Sequence, residues 1–214
     1  MKKQRFFMLG IITVLVAVLS LTFVSSTFAK YTTNGTAEDT ARVAKWGVTV
    51  TVSGDDAFAV KYDDAASDTG TKVVSSTTDN VVAPGTNGTL GSISIAGTPE
   101  VMVNVTVNFD LTLSDWPGNN CPIVFTIGST NYKIDGSTIN TVAELEQAVE
   151  NAVKALSAEN VAANTGLARS ITVAWSWAYE SGNDANDTAL GNQAVSGTAP
   201  TIAAEWEVIV TQVD

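Results

Sequence analysis

The chain has 214 residues, of which 45% are hydrophobic and only 15% charged, with 11 Lys and Arg against 22 Asp and Glu, giving a net charge of -11. So acidic a chain lacks the Lys/Arg clusters that neutralise phosphates, which argues against nucleic acid as a partner. It has no His and one Cys, which excludes His-based acid–base chemistry, Ser/His or Cys/His nucleophile pairs, His-ligated zinc and an internal disulfide.

The N-terminal stretch has the composition of an export signal. Lys2, Lys3 and Arg5 open it, residues 6–24 are uncharged and mostly apolar, and Ser25-Ser-Thr-Phe-Ala29 follows with small residues at 27 and 29. This three-part layout places cleavage between Ala29 and Lys30. The alternative is retention of residues 1–29 as an anchor, since an apolar run of this length approaches the ~20 residues that span a bilayer. The membrane would then be touched only through that uncleaved segment. In both cases the remainder is expected outside the cytoplasmic membrane. Removal of residues 1–29 takes three positive charges from -11, leaving -14. Residues 30–43 read as a polar N-terminal arm, and 44–214 as one domain of a length that suits a full core.

The domain reads as strands. Trp46 to Ser53 alternates strictly, with Trp46, Val48, Val50 and Val52 on one face. Ala57–Tyr62, a weaker Lys72–Ser76 and Thr89–Ile95 follow. Val101–Leu113 is the clearest strand, apolar at every odd position; its length exceeds the usual strand and predicts a bend or bulge. Ile123–Ile127 and Tyr132–Ile134 form a hairpin around Gly128–Asn131. The segment from about 141 to 157 changes period: Leu145, Val149, Ala152 and Leu156 recur at helical spacing, and Thr141 with Glu144 makes a capping box. Ile171–Tyr179 and Glu205–Val213 complete the set. The fold expected is mainly β, an antiparallel β-sandwich with one inserted α-helix; its jelly-roll-like character is what the resemblance given below implies.

Other constellations have ordinary structural readings. Glu180, Asp184 and Asp187 form an acidic loop whose oxygens could bind calcium, but their spacing is not that of an EF-hand and a solvated turn explains them. No cofactor is otherwise called for. Trp175 and Trp177 share a strand face, where core packing explains them better than a sugar-stacking platform. Cys121 reads as a buried apolar residue.

Several short motifs carry a resemblance. Phe28-Ala-Lys-Tyr-Thr-Thr33, Ala41-Arg-Val-Ala-Lys-Trp-Gly47, Val82-Ala-Pro-Gly85, Gly97-Thr-Pro-Glu-Val101, Trp175-Ser-Trp-Ala-Tyr-Glu180, Asp187-Thr-Ala-Leu-Gly191 and Thr211-Gln-Val-Asp214 occur in the order seen in TasA/camelysin-like secreted proteins with SipW-type signal peptides, which the chain resembles. The resemblance implies a jelly-roll domain, processing by a signal peptidase, secretion to the extracellular matrix or cell surface, and fibres of the biofilm matrix. It further implies assembly with other copies of itself by donor-strand exchange, in which the arm of one subunit fills the sheet groove of the next. Lys30, Tyr31, Thr32, Thr33 and onward to Val43 are the corresponding arm here, with Tyr31 its apolar anchor. The metalloprotease activity linked to camelysin-like relatives does not carry over, because the chain has no His for an H-E-x-x-H site. The expected function is a non-enzymatic structural subunit. The alternative is a monomeric surface module that binds a glycan or matrix protein, and a third reading is a secreted hydrolase.

Overall fold

The computed structural model describes residues 41–54, 56–63, 71–180 and 182–213. Ala29, Lys30, Tyr31, Thr32 and Thr33 lie outside them, as do residues 6–24. Among the described residues no helix is long and apolar enough to cross a membrane.

Among the described residues ten strands and two α-helices follow the order β1 (Val48–Ser53), β2 (Lys61–Asp63), β3 (Thr71–Val74), β4 (Asn87–Gly97), β5 (Val103–Ser114), β6 (Ile123–Ile127), β7 (Thr130–Tyr132), α1 (Val142–Lys154), β8 (Ala158–Val161), β9 (Leu167–Trp177), α2 (Asp184–Val195) and β10 (Thr201–Gln212). All pairings are antiparallel. One sheet has the order β1-β4-β9-β6-β7, a second β10-β5-β8, and β2 with β3 forms a separate ribbon. The two main sheets enclose the core, so the β-sandwich expected from the alternating pattern is the fold observed.

β5 is its centre. The odd residues from Val103 to Leu113 are all buried while the even residues face out. Full burial of side chains of this size contributes about 1.5–3 kcal/mol each. Against them pack Ile93 and Ile95 of β4, Ile123 and Phe125 of β6, and Val173 and Trp175 of β9. The bulge expected in β5 is absent on its β10 side, where twelve residues pair in unbroken register. The register slips instead beside β8, between Val103 and Val105, and in β4 between Thr89 and Gly91. The β4 slip rephases the strand, so that Leu90 and Ile93 are both buried although strict alternation places them on opposite faces.

α1 begins as its sequence dictates. The Glu144 N–H donates to Thr141 Oγ1 (3.1 Å), and the Thr141 N–H donates to Glu144 Oε2 (3.2 Å). Leu145, Val149 and Val153 bury one face. The neighbouring residues do something the periodicity does not announce. β8 pairs with only the first residues of β5, and α1 covers what β8 leaves. The Leu113 N–H donates to Glu146 Oε1 (2.6 Å), the Leu111 N–H to Glu150 Oε1 (3.3 Å), and the Val107 N–H to Ser157 Oγ (3.0 Å). Side chains thus replace a neighbouring strand along this edge of β5.

Other expectations shift in detail. Of the strand expected over Ala57–Tyr62, only Lys61 onward pairs as a strand. Phe58 and Tyr62 turn onto Trp175 instead, at centroid distances of 5.3 and 6.3 Å. The hairpin turn is two residues, Gly128 and Ser129, so β7 begins at Thr130. β8, which lacks an alternating pattern, was not foreseen.

The second helix corrects the expectation of a single one. α2, which begins at Asp184, replaces the second half of the acidic loop read over Glu180–Asp187. Only Leu190 is buried in it, so the segment has no apolar stripe to betray a helix. Its support comes from Asp184 and Asp187 in the first turn, where carboxylates favour the helix dipole, and from the Gln193 Nε2–H, which donates to the Asp115 carbonyl oxygen (2.7 Å).

Candidate functional site

Among the described residues the strand order leaves two long edges unpaired: β10 bonds only to β5, and β1 only to β4. The other terminal strands, β7 and β8, have three and four residues. β1 and β10 lie on the same side of the sandwich and touch, so the two open edges face each other across a seam.

Cross-strand pairing fixes which side chains line this seam. Val50 opposes Ile95 and Val52 opposes Ile93. Directly opposed residues share a sheet face, so Val50 and Val52 point the same way as the core. Ile93 and Ile95 are 1% and 0% exposed, whereas Val50 and Val52 are 38% and 41% exposed. On β10, Ile202, Ala204, Trp206, Val208 and Val210 oppose the buried odd residues of β5, yet all five are only half-buried. The inner faces of both edge strands are therefore apolar and incompletely covered.

The same pairing orients the backbone. The N–H groups of β5 at Leu111 and Leu113 point toward α1 and that of Val107 toward Ser157 just beyond it, so those of its even residues point toward β10. In an antiparallel ladder the partner residues of β10, Thr201 to Thr211 at odd positions, return those bonds. The N–H groups of Ile202, Ala204, Trp206, Val208 and Val210 then face the open edge.

Trp206 bridges the sheets at one end of the seam. Its ring lies 4.3 Å from that of Phe109 and against β4 at Gly91. A Cβ on Gly91 would sit 2.6 Å from both the Ser53 carbonyl oxygen and the Trp206 ring, so glycine is what lets the ring seat there. The Trp206 Nε1–H is buried without a partner among the described residues. At the other end, the segment preceding β1 is clamped to the β4–β5 turn. The Lys45 N–H donates to Glu100 Oε2 (2.8 Å), the Glu100 N–H to the Lys45 carbonyl (2.9 Å), and the Thr98 N–H to the Gly47 carbonyl (3.1 Å). Just before this clamp Val43, the last residue of the expected arm, is 91% exposed.

The outer face of β10 and its partner β5 carries acidic residues. Glu205 opposes Asp110 and Glu207 opposes Asn108, whose Nδ2–H donates to Glu207 Oε2 (2.7 Å). The outer residues of β1, Thr49, Thr51 and Ser53, are uncharged, so the seam is apolar within and negatively charged without on its β10 side alone.

The other residues singled out in the sequence have structural places. Trp175 and Trp177 are buried in the core. Among the described residues no three His, Cys, Asp or Glu side chains gather to hold a metal ion. The candidate calcium ligands Glu180, Asp184 and Asp187, read above as a solvated turn, do not converge, and Asp187 Oδ1 accepts the Trp177 Nε1–H (3.2 Å). Cys121 is a buried free thiol, and burial pushes its pKa up to about 12.

Sequence reasoning missed Trp206, Gly91 and the pairing of β1 with β10 as a seam. The alternation over Glu205–Val213 revealed a strand, but its edge status depends on a partner that the chain does not supply. Compared with known proteins, the chain matches no family model, none of the curated proteins and none of the solved structures.

Proposed function

We propose that the chain is an exported, non-enzymatic structural subunit that polymerises into an extracellular surface or matrix fibre, as its resemblance to TasA/camelysin-like proteins implies. The observation that carries this reading is the seam: two facing unpaired strand edges whose inner apolar faces are half open. An added strand satisfies both needs, since its backbone pairs with the edge amides and its side chains cover the apolar face. The occupant is the arm Lys30–Val43 of a neighbouring copy, freed when a signal peptidase cuts after Ala29. The side-chain charges of the arm, Lys30 and Arg42 against Glu38 and Asp39, cancel, and the α-amino group that cleavage exposes is basic, so the arm does not add to the repulsion between acidic domains. Its 14 residues span about 46 Å when extended, against ~40 Å for the twelve of β10. Donation from each copy to the next does not close on itself and produces a filament.

The test is electron microscopy of residues 30–214 beside residues 44–214. The longer protein forms filaments, and the arm-deleted domain stays monomeric with an unchanged circular dichroism spectrum. Filaments of equal length and number from both proteins would contradict the reading.

A further inference from the structure

The two ends of the sandwich differ in a way that the seam does not use. β4 ends, β5 begins and β10 ends at one pole, whereas β5 ends, β9 ends and β10 begins at the other. The poles lie roughly 40 Å apart along the twelve residues of β5.

The first pole displays Val43, Trp46 and Met102, which are 91%, 42% and 40% exposed. Lys45 stands beside them, exposed, and Glu100 is drawn back to the Lys45 amide. The second pole holds an open cleft of about 530 Å³ whose walls include Val82, Trp116, Trp177, Leu190, Gly191 and Ala194. Its depth is set by the indoles. The Trp116 Nε1–H donates to the Thr201 carbonyl (3.1 Å) and the Trp177 Nε1–H to Asp187, so both rings are pinned on their polar side and turn apolar surface to the cleft. Asp187 is the one charged side chain lining it, and Asp184 lies one turn away at the start of α2. One pole thus offers an apolar projection with a cation, and the other an apolar recess with an acidic lip.

We propose that the cleft at the α2 pole is a docking site for a second copy of this chain, which inserts its Val43–Trp46 pole there. Because the complementary surfaces sit at opposite ends of one axis, the contact is head-to-tail and repeats without closing. An exposed Trp entering an apolar recess is the kind of anchor that dominates interfaces, and Lys45 against Asp184 and Asp187 sets the direction of approach. The proposal rests on the self-assembly reading; it shares Ile202 with the seam and Val43 with the arm, whereas Lys45, Asp184 and Gly191, the positions varied below, belong to neither.

Gly191→Leu tests it. A Cβ at Gly191 meets no atom within 4 Å, so leucine enters open cleft space and also favours the helix. With residues 30–214, the concentration above which protein sediments as fibre should rise about tenfold or more, at unchanged near-ultraviolet circular dichroism. Lys45→Glu and Asp184→Lys should each raise it, and the two together should restore it. If Gly191→Leu and both charge variants assemble at the wild-type concentration, the docking site is overturned while the arm reading stands. An arm-deleted protein that still assembles, with Gly191→Leu blocking it, would support the cleft and remove the arm. Wild-type protein that never sediments overturns both.

Discussion

At the scale of single residues, two titratable groups report how the fold treats polar atoms. Cys121 is 5% exposed; burial, with Glu146 adding to it, raises the thiol pKa to about 12 against the pull of the Ile123 amide. Only the thiolate reacts, so at pH 8 native protein should leave a disulfide reagent almost unconsumed over an hour and consume one equivalent once unfolded in guanidinium. Rapid labelling of the native state would contradict this burial. Asp135 behaves in the opposite sense. Its Oδ1 accepts the N–H groups of Ser137, Thr138 (both 2.8 Å) and Ile139 (3.2 Å), and these bonds hold its carboxyl well below the usual range. A pKa lowered on folding stabilises the native state above the unfolded-state value, and that contribution is lost as pH falls through the folded value. The Ser137 and Thr138 amide resonances should therefore keep their bonded shifts below about pH 3, beneath the ordinary Asp titration near 3.9. Movement with a midpoint at the ordinary value would show that the turn does not hold the carboxylate. The sequence shows Asp135 before Gly136 and suggests a turn, but not that three amides converge on one oxygen.

At the scale of elements, the β5–α1 pair shows where a sequence is readable. The odd-position apolar run of β5 and the helical spacing of Leu145 and Val149 each arise from one segment's own contact with the core, so each is visible in that segment. Thr141 and Glu144 interact within one helical turn, and their capping box was legible for the same reason. Glu146 and Glu150 were not, because their partners are backbone groups 33 and 39 residues away, and a carboxylate on a helix otherwise signals only solvent. β8 and α2 went unread because neither carries a periodic apolar face. The edge cover has a measurable weight. Leaving a buried N–H unpaired costs about 1–3 kcal/mol, so Glu146→Ala should lower the denaturation free energy by that amount. Glu150→Ala should cost less, given its longer bond. Hydrogen exchange should quicken selectively at Leu113, with Glu146→Gln restoring protection because the amide oxygen still accepts. Uniform loss of protection across the sheet, or none at Leu113, would show that α1 acts by packing alone.

At the scale of the whole molecule, one long edge is closed and two are left open. α1 covers β5 beyond β8, whereas among the described residues β1 and β10 keep unpaired backbones over half-exposed apolar faces. A monomeric sandwich ordinarily protects such edges against association, and here the protection is unequal. The sequence made the sandwich legible through local alternation, and the resemblance supplied the idea of a donated arm. The location of the slot depends on strand order, which is long-range and cannot be read from any one strand.

The central claim, that an arm from another copy fills the β10 edge, is tested most directly by amide hydrogen exchange on assembled fibres. The amides of Ile202, Ala204, Trp206, Val208 and Val210 should exchange quickly in the arm-deleted domain and become strongly protected in fibres of residues 30–214, while the β5 amides bonded to α1 change little. Fibres in which those five amides exchange as fast as in the isolated domain would contradict the account.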